Sequence, residues 1–140
     1  MSKISAKSAT QLDVVLSNTP GSLAQVAEAL AHAGVNIEGV CHTEPSDKKA
    51  AMHHFVVDKV PAARKALKSL GRKFSEEKVL SLRYKDKPGI LAVATRALGN
   101  AGVNIEEVYL SVAGIGKDTT LFVGVSDGQF NKAMKAVKKL

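Results

Sequence analysis

The sequence has few of the residues on which several classes of protein depend. Its 140 residues include one cysteine, no tryptophan and only 4% aromatic residues. A single cysteine excludes a framework of internal disulfides and fits a reducing compartment, and the low aromatic content argues against an RNA-binding sheet that stacks bases. No apolar run approaches the roughly 18 residues of a membrane span, and the N-terminus lacks the apolar region of a signal peptide. These absences predict a cytoplasmic globular protein.

The chain carries an excess of positive charge, with 20 Lys and Arg residues against 13 Asp and Glu. Most of the excess falls at helical spacing near the ends of two segments, at Arg64, Lys65, Lys68, Arg72, Lys73, Lys132, Lys135, Lys138 and Lys139. Cations near a helix C-terminus interact favourably with the helix dipole, so a solvated helix face is the simpler interpretation. Binding to a polyanion is the alternative. We expect no membrane partner and do not expect nucleic acid.

One segment of the sequence occurs twice. Residues 20–40 align with residues 88–108 at a constant offset of 68, and thirteen of the twenty-one aligned pairs are identical. Such self-similarity is the signature of a duplication. It predicts two units, at 1–76 and 77–140. Each has about 70 residues, which is near the lower limit for a self-sufficient core, so we expect the units to share a core, a sheet or a dimer interface.

Each copy has the pattern β-α-β-β-α. The predicted strands and helices of the first copy are 11–16, a helix from 23 that stops before Gly34, 35–43, 52–57 and 61–70, with a hairpin turn at Pro45-Ser46-Asp47-Lys48. Those of the second copy are 79–84, a helix from 91 that stops before Gly102, 103–113, 120–125 and 128–140, with a hairpin turn at 114–118. The fold class is therefore α+β: two ferredoxin-like units in tandem, each an antiparallel sheet with its helices on one face.

The fourth strand differs between the copies. Residues 73–76 can supply it in the first copy, whereas the second copy reaches Leu140 where its last strand would begin. Soluble proteins generally cover such an open sheet edge. The linker at 74–80, the N-terminal segment at 4–10 and a second subunit are three ways to do so. After the hairpin the best-matching offset becomes 67, aligning Phe55 with Phe122, which predicts one residue fewer in the second hairpin.

These residues resemble the ACT domain, a regulatory module that senses small molecules and accompanies enzymes of amino-acid biosynthesis. The resemblance rests on a strand, Asn/Asp-x-Pro-Gly, a Leu-containing helix and Ala-Gly-Val-Asn-Ile, all present in both copies. It implies that units pair side by side and bind an amino acid at the seam between them. The ligand-binding residues that it implies are Asn18, Thr19, Pro20, Gly21, Ser22, Leu23, Asn36, Ile37, Asp86, Lys87, Pro88, Gly89, Ile90, Leu91, Asn104 and Ile105.

The chemistry of these residue types suits an amino acid. The N–H groups at a helix start, next to a glycine that allows close approach, suit a carboxylate. An asparagine amide both donates and accepts, and Asp86 could neutralise an ammonium group. The alternative is structural: Asn18 or Asp86 caps a helix, and Asn36 and Asn104 stabilise the bend between helix and strand.

Other candidate sites lack the spacing that their chemistry needs. Cys41, His42, His53 and His54 lie on a predicted hairpin but show no metal-binding spacing, so we expect no metal and no cofactor. No nucleophile and base pair stands out, so we expect no enzyme. The predicted function is a regulatory, amino-acid-binding homodimer that serves an enzyme of amino-acid metabolism. A protein interaction or structural module without a small ligand, acting through the lysine-rich helices, is the alternative.

Overall fold

The computed structural model describes residues 3–44 and 49–140, so the predicted turn at 45–48 lies outside the described residues. It divides the chain into two compact units. The N-terminal unit is Thr10–Glu77, and the C-terminal unit is Lys78–Leu140 together with the segment that ends at Ala9. The predicted boundary after residue 76 lies one residue from this division. The prediction differs for residues 3–9, which it assigned to the other unit.

The elements follow the predicted order, with two strands longer than expected. They are β1 (Ser5–Ser17), α1 (Ser22–His32), β2 (Ile37–Thr43), β3 (Ala50–Val57), α2 (Val60–Ser69), β4 (Phe74–Lys85), α3 (Ile90–Asn100), β5 (Ile105–Val112), β6 (Asp118–Val125) and α4 (Phe130–Lys138). Within the N-terminal unit the sheet order is β2-β3-β1-β4, and within the C-terminal unit it is β1-β4-β6-β5. The β1–β3, β2–β3, β4–β6 and β5–β6 pairs are antiparallel. No helix of the described residues is long and apolar enough to cross a membrane.

Side chains along β1 point alternately to the two faces of the N-terminal sheet. Leu12, Val14 and Leu16 are buried on the face that carries the helices, because side chains of a strand point alternately to opposite sides. They form one apolar core with Val26, Leu30, Val35, Phe55, Val57, Ala63 and Leu67. Phe74, at the start of β4, packs against the same core. Gln11 and Asp13 consequently lie on the face without helices.

The core of the C-terminal unit includes residues at the beginning of β1 and directly before it. Ile4 is only 4% exposed and belongs to the apolar cluster of Leu80 and Leu82, and Ala6 packs against that cluster. Within this unit β1 is the neighbour of β4. Of the three ways to cover the open edge, the structure therefore has the N-terminal segment in place of the missing fourth strand.

The predicted offset of 67 in the second half of the repeat is wrong. Leu12 lies opposite Phe55, and its repeat partner Leu80 lies opposite Val123, so the offset remains 68 through the hairpin. The two phenylalanines aligned by sequence point to opposite faces, because Phe122 pairs with Ser81 rather than with a core residue. The offset becomes 70 only at the last helix, since α2 begins at Val60 and α4 at Phe130. The length change is a two-residue insertion between β6 and α4.

Candidate functional site

The turn between β1 and α1 has the backbone that its Pro-Gly pair predicts. Gly21 has φ of +87° and precedes the first residue of α1, and no side chain caps that helix start. A residue with a Cβ is strained in this left-handed conformation, which explains the glycine. The Ser22 N–H donates to the Thr19 carbonyl at 3.3 Å, and the Gln25 N–H donates to the Gly21 carbonyl at 3.0 Å.

Three hydroxyl groups surround this turn. The Oγ atoms of Ser17 and Ser22 are 3.0 Å apart, and Thr19 Oγ1 lies 3.1 Å from the first and 2.8 Å from the second. Ser22 is buried, whereas Ser17 and Thr19 are exposed. The Asn18 N–H donates to the Lys49 carbonyl at 3.2 Å, and Asn18 Nδ2 donates to Glu44 at 3.4 Å. The three hydroxyl groups give this turn an uncharged polar surface.

The corresponding turn of the C-terminal unit has the same backbone and different side chains. Gly89 has φ of +95° and again precedes a helix without a side-chain cap. Lys85 and Lys87 replace Ser17 and Thr19, and the Lys85 ammonium lies 2.7 Å from Asp118. That hydrogen bond lowers the pKa of Asp118. The charges make this turn chemically distinct from the first.

Backbone hydrogen bonds tie Asp86 to the neighbouring hairpin. Its N–H donates to the Lys117 carbonyl at 2.8 Å, and its carbonyl accepts from the Gly116 N–H at 2.7 Å. The pKa of the buried Tyr84 is raised by burial and by the charge of Asp86. Ile90 is 2% exposed and belongs to the core. Ile90, which the resemblance implies to be a ligand-binding residue, therefore lies in the core of this unit.

The predicted apolar residues divide into two groups. Leu23 and Leu91, which directly follow the first residue of α1 and α3, are each 43% exposed. Ile37 and Ile105, at the starts of β2 and β5, are half-buried and pack against the cores of their units. Leu23 and Leu91 are thus the accessible members of the set.

Asn36 is held through its backbone. Its N–H donates to Asp58 Oδ1 at 2.9 Å, and its carbonyl accepts from the Asp58 N–H at 3.1 Å. Lys59 Nζ donates to the carbonyl of Gly34 at 3.3 Å. These bonds fix the bend from α1 into β2, which is the structural role considered for this asparagine. The Asn36 side chain is exposed.

Asn104 is held by backbone and side chain together. Its N–H donates to Gln129 Oε1 at 2.8 Å, and its Nδ2 donates to Ser126 Oγ at 3.0 Å. Gln129 Nε2 also donates to the carbonyl of Gly102 at 3.2 Å. One residue, Gln129, therefore makes the two contacts that Asp58 and Lys59 share in the N-terminal unit.

No unit by itself brings its turn and its asparagine together. Gly21 precedes α1 and Asn36 follows it, so the two lie at opposite ends of an 11-residue helix. At 1.5 Å per residue, that helix is about 16 Å long. Gly89 and Asn104 have the same relationship to the 11-residue α3. A groove of about 560 Å³ between α1 and α2 includes His32, Lys65 and Ser69 in its lining, and none of the predicted ligand-binding residues lines it.

A polar cluster on the helix-free face of the N-terminal sheet was missed by the sequence analysis. Asp13 Oδ1 lies 2.6 Å from His54 Nδ1 and accepts a hydrogen bond from Gln11 Nε2 at 2.8 Å. All three residues are buried. The signal available in the sequence was the alternation of polar and apolar residues in β1, with Gln11 and Asp13 two positions apart. Their partner could not be read from the sequence, because it depends on the register between β1 and β3.

A second buried histidine lies on the opposite face of the same sheet. The His53 ring stacks on the exposed ring of His42, with centroids 5.1 Å apart. Burial, followed by the charges of His42 and His54, lowers the pKa of His53. Within the described residues, no three His, Cys, Asp or Glu side chains form a group that could hold a metal ion.

A known family model matches part of the chain. Residues 78–140 match the family model of the ACT domain. The match covers the C-terminal unit from Lys78 onward and includes the turn with Gly89. No match was found among curated proteins.

Solved structures resemble the chain over nearly its whole length. Protein BT0572 from Bacteroides thetaiotaomicron has 26% sequence identity and a TM-score of 0.82, over 96% of this chain and 89% of that one. The ligand-free regulatory subunit of aspartate kinase from Thermus thermophilus has 19% identity and a TM-score of 0.70, over 97% and 95% of the two chains. A structure of the aspartokinase alpha and beta subunits has 16% identity and a TM-score of 0.67, over 98% and 95%. At 19% and 16% identity, the likeness to these two kinase structures establishes the fold alone, which is α+β and ACT-like.

Proposed function

We propose that the chain is a non-catalytic regulatory protein that binds an amino acid through ACT units in tandem. The observation that carries the proposal is the repeated turn: in each unit a Pro-Gly pair opens a helix at a glycine of positive φ and without a side-chain cap. One of these units matches the ACT domain. The N-terminal unit repeats its order of elements, which supports assigning the same role to both.

The helix start offers groups that complement a carboxylate. The first N–H groups of a helix have no acceptor within the helix, and they attract anions. The Ser22 N–H already serves the turn, which leaves those of Leu23 and Ala24 for a ligand. The exposed Leu23 side chain lies beside them and can contact an apolar ligand side chain.

The ammonium group needs a partner that the same unit does not supply. Asn36 lies a helix length away from the turn of its own unit, so the turn and the asparagine have to come from different units for one ligand to contact both. The proposal therefore includes a ligand site formed by two units. It also includes a homodimer, in which a second copy of the chain can supply one of these units.

The regulated partner is proposed to be an enzyme of amino-acid metabolism. The support is the likeness to a regulatory subunit of aspartate kinase and to the aspartokinase alpha and beta subunits, over nearly the full length of both chains in each comparison. The activity of such an enzyme is expected to differ between the protein with its amino acid bound and the protein without it. Copurification with a tagged chain, in the presence and absence of the amino acid that binds, tests this part.

Isothermal titration calorimetry against the twenty amino acids is the decisive experiment. We expect at least one amino acid to bind, and Gly21→Ala or Gly89→Ala to weaken binding about tenfold by distorting the turn. Gly128→Ala is the matched control, because Gly128 also has positive φ (+80°) and open space around it but lies in the loop before α4. The absence of binding at millimolar concentration for all twenty would contradict the proposal.

The charge of α4 favours one alternative function, a protein interaction module without a small ligand. This helix buries Ala133 and Val137 and carries Lys132, Lys135 and Lys138 but no acidic residue. If no amino acid binds, a partner captured by the wild type at low salt and lost with Lys135→Glu/Lys138→Glu would support this alternative.

A further inference from the structure

The groove between α1 and α2 takes no part in the proposed amino-acid site. Its volume is about 560 Å³, which is within the range of small-molecule sites. All the residues that line it belong to the N-terminal unit, so the groove is complete within one unit. Five of them are apolar and three are polar. The apolar ones are Ala29, Ala33, Ala62, Ala66 and Leu70, and the polar ones are His32, Lys65 and Ser69.

The apolar lining comes from both helices. α1 and α2 contact each other, and their larger apolar side chains, such as Leu30 and Leu67, point into the core below. The short alanine side chains above that core leave space between the helices. An aliphatic group placed there is removed from water, which is favourable.

Two hydrogen-bond donors lie side by side on the α2 side of the groove. Lys65 and Ser69 are four residues apart in α2, so their side chains are neighbours on one face, and both are exposed. The ammonium group carries a positive charge and donates, and the hydroxyl group can donate as well. A carboxylate has two oxygens that can accept from such a pair, and hydrogen bonds between charged partners are the stronger ones.

The charge of the lining favours one class of ligand. No acidic residue is among the described residues that line the groove, so the charge of Lys65 has no counter-charge there. His32, the last residue of α1, adds a second positive charge when it is protonated. A carboxylate is attracted by these groups, whereas the ammonium group of an amino acid finds no acidic partner. The lining therefore suits an apolar carboxylate without an ammonium group.

The C-terminal unit shows that the fold does not require the groove. The last helices of the units align with an offset of 70 residues, so Ala62 corresponds to Lys132. A Cβ atom at Gly102, just after α3, would lie 3.8 Å from Lys132 Nζ, so the lysine side chain reaches from α4 to the end of α3. At Gly34, the counterpart of Gly102, a Cβ atom would have no described atom within 4 Å. The small side chain of Ala62 thus leaves open the space that a lysine crosses in the other unit.

We propose that the groove between α1 and α2 is a second ligand site, which binds an aliphatic monocarboxylate that has no ammonium group. The carboxylate contacts Lys65 and Ser69, and the aliphatic chain lies along the alanines of the two helices. The inference goes beyond the proposed amino-acid binding. It uses other residues and a single unit, so either proposal can fail without the other.

Three probes of equal chain length test the class of ligand. Octanoate, 1-octanol and 2-aminooctanoate are titrated into the ¹⁵N-labelled protein, and the amide signals are followed by NMR. We expect octanoate at millimolar concentration to shift the signals of residues 29–33 and 62–70. We also expect it to bind about tenfold more tightly than the alcohol, which lacks the charge, and the amino acid, which adds an ammonium group.

Four variants test the location of the site. Ala62→Gln places a long neutral side chain in the groove, and Lys65→Gln removes its charge, so each should weaken octanoate binding about tenfold. Ala31→Gln and Lys68→Gln are the matched controls, because both residues are exposed on the same helices and do not line the groove. The controls should bind octanoate as the wild type does.

The comparison of the three probes uses only the wild type, so it holds even if a variant fails to fold. Three results would overturn the proposal. They are no binding of octanoate at millimolar concentration, equal affinity for octanoate and 2-aminooctanoate, and a folded Ala62→Gln protein with the affinity of the wild type.

Discussion

The imidazole of His54 and the carboxylate of Asp13 lie 2.6 Å apart and are both buried on the helix-free face of the N-terminal sheet. Removing one member leaves the other without its partner, whereas replacing both by the Phe and Ser of the other unit restores a matched surface. We expect His54→Phe to lower the free energy of unfolding by about 3 kcal/mol. The double variant Asp13→Ser/His54→Phe should recover most of that loss.

Urea unfolding of the wild type, both single variants and the double variant measures the coupling between the two residues. Effects of the single variants that simply add in the double variant would mean that the two side chains do not stabilise each other.

The N-terminal segment is part of the C-terminal core, and Ile4 is its anchor. We expect Ile4→Ala to lower the free energy of unfolding by about 2–5 kcal/mol, as truncation of a buried side chain does. Ser5→Ala, at the neighbouring exposed position, should change it little. Equal effects of the two substitutions in urea unfolding would show that the segment does not pack in that core.

Burial lowers the pKa of His53, so stability should depend on pH. The unfolded chain takes up a proton near the ordinary pKa of about 6.5, whereas the folded protein takes it up only at lower pH. The unfolded state therefore binds more protons in this window, and stability falls as the pH drops through it. We expect His53→Leu to reduce this loss between about pH 7.5 and pH 5.

His32→Gln, at the exposed end of α1, is the control for that experiment. It should leave the pH dependence of the urea midpoint as it is in the wild type. A His53→Leu protein that loses as much stability on acidification as the wild type would contradict the assignment to His53.

Two glycines, one directly before a helix and one inside a helix, should respond to alanine in opposite directions. Gly21 has φ of +87°, so Gly21→Ala should lower the free energy of unfolding by about 1–2 kcal/mol. Gly99 lies inside α3 with open space around its Cα, so Gly99→Ala should raise it by about 0.5–1 kcal/mol. Thermal unfolding of the two variants distinguishes the cases, and a Gly21→Ala protein as stable as the wild type would remove the argument for strain at the turn.

The sequence predicted the local structure of each unit well, because local structure has local signals. The Pro-Gly turns, the helix stops at Gly34 and Gly102 and the order of elements all follow from short-range patterns. The alignment of Phe55 with Phe122 failed because residue identity carries no information about which face of a strand a side chain occupies.

Relationships between distant strands were beyond the reach of the sequence. That Asp13 and Cys41 both lie directly opposite His54 becomes visible only when the registers of two strand pairs are combined. The separation of each turn from the asparagine of its own unit likewise follows from the length and direction of a helix rather than from any motif. Register is set by packing, which the sequence alone does not display.

The core shared by Ile4 and Leu80 joins positions 76 residues apart. Contacts between such distant positions slow folding, because the intervening chain loses entropy before the contact forms. The residues of the N-terminal unit fill that interval and make their own shorter-range contacts. We therefore expect the C-terminal unit to acquire its final strand late, at a rate limited by loop closure rather than by the formation of its helices.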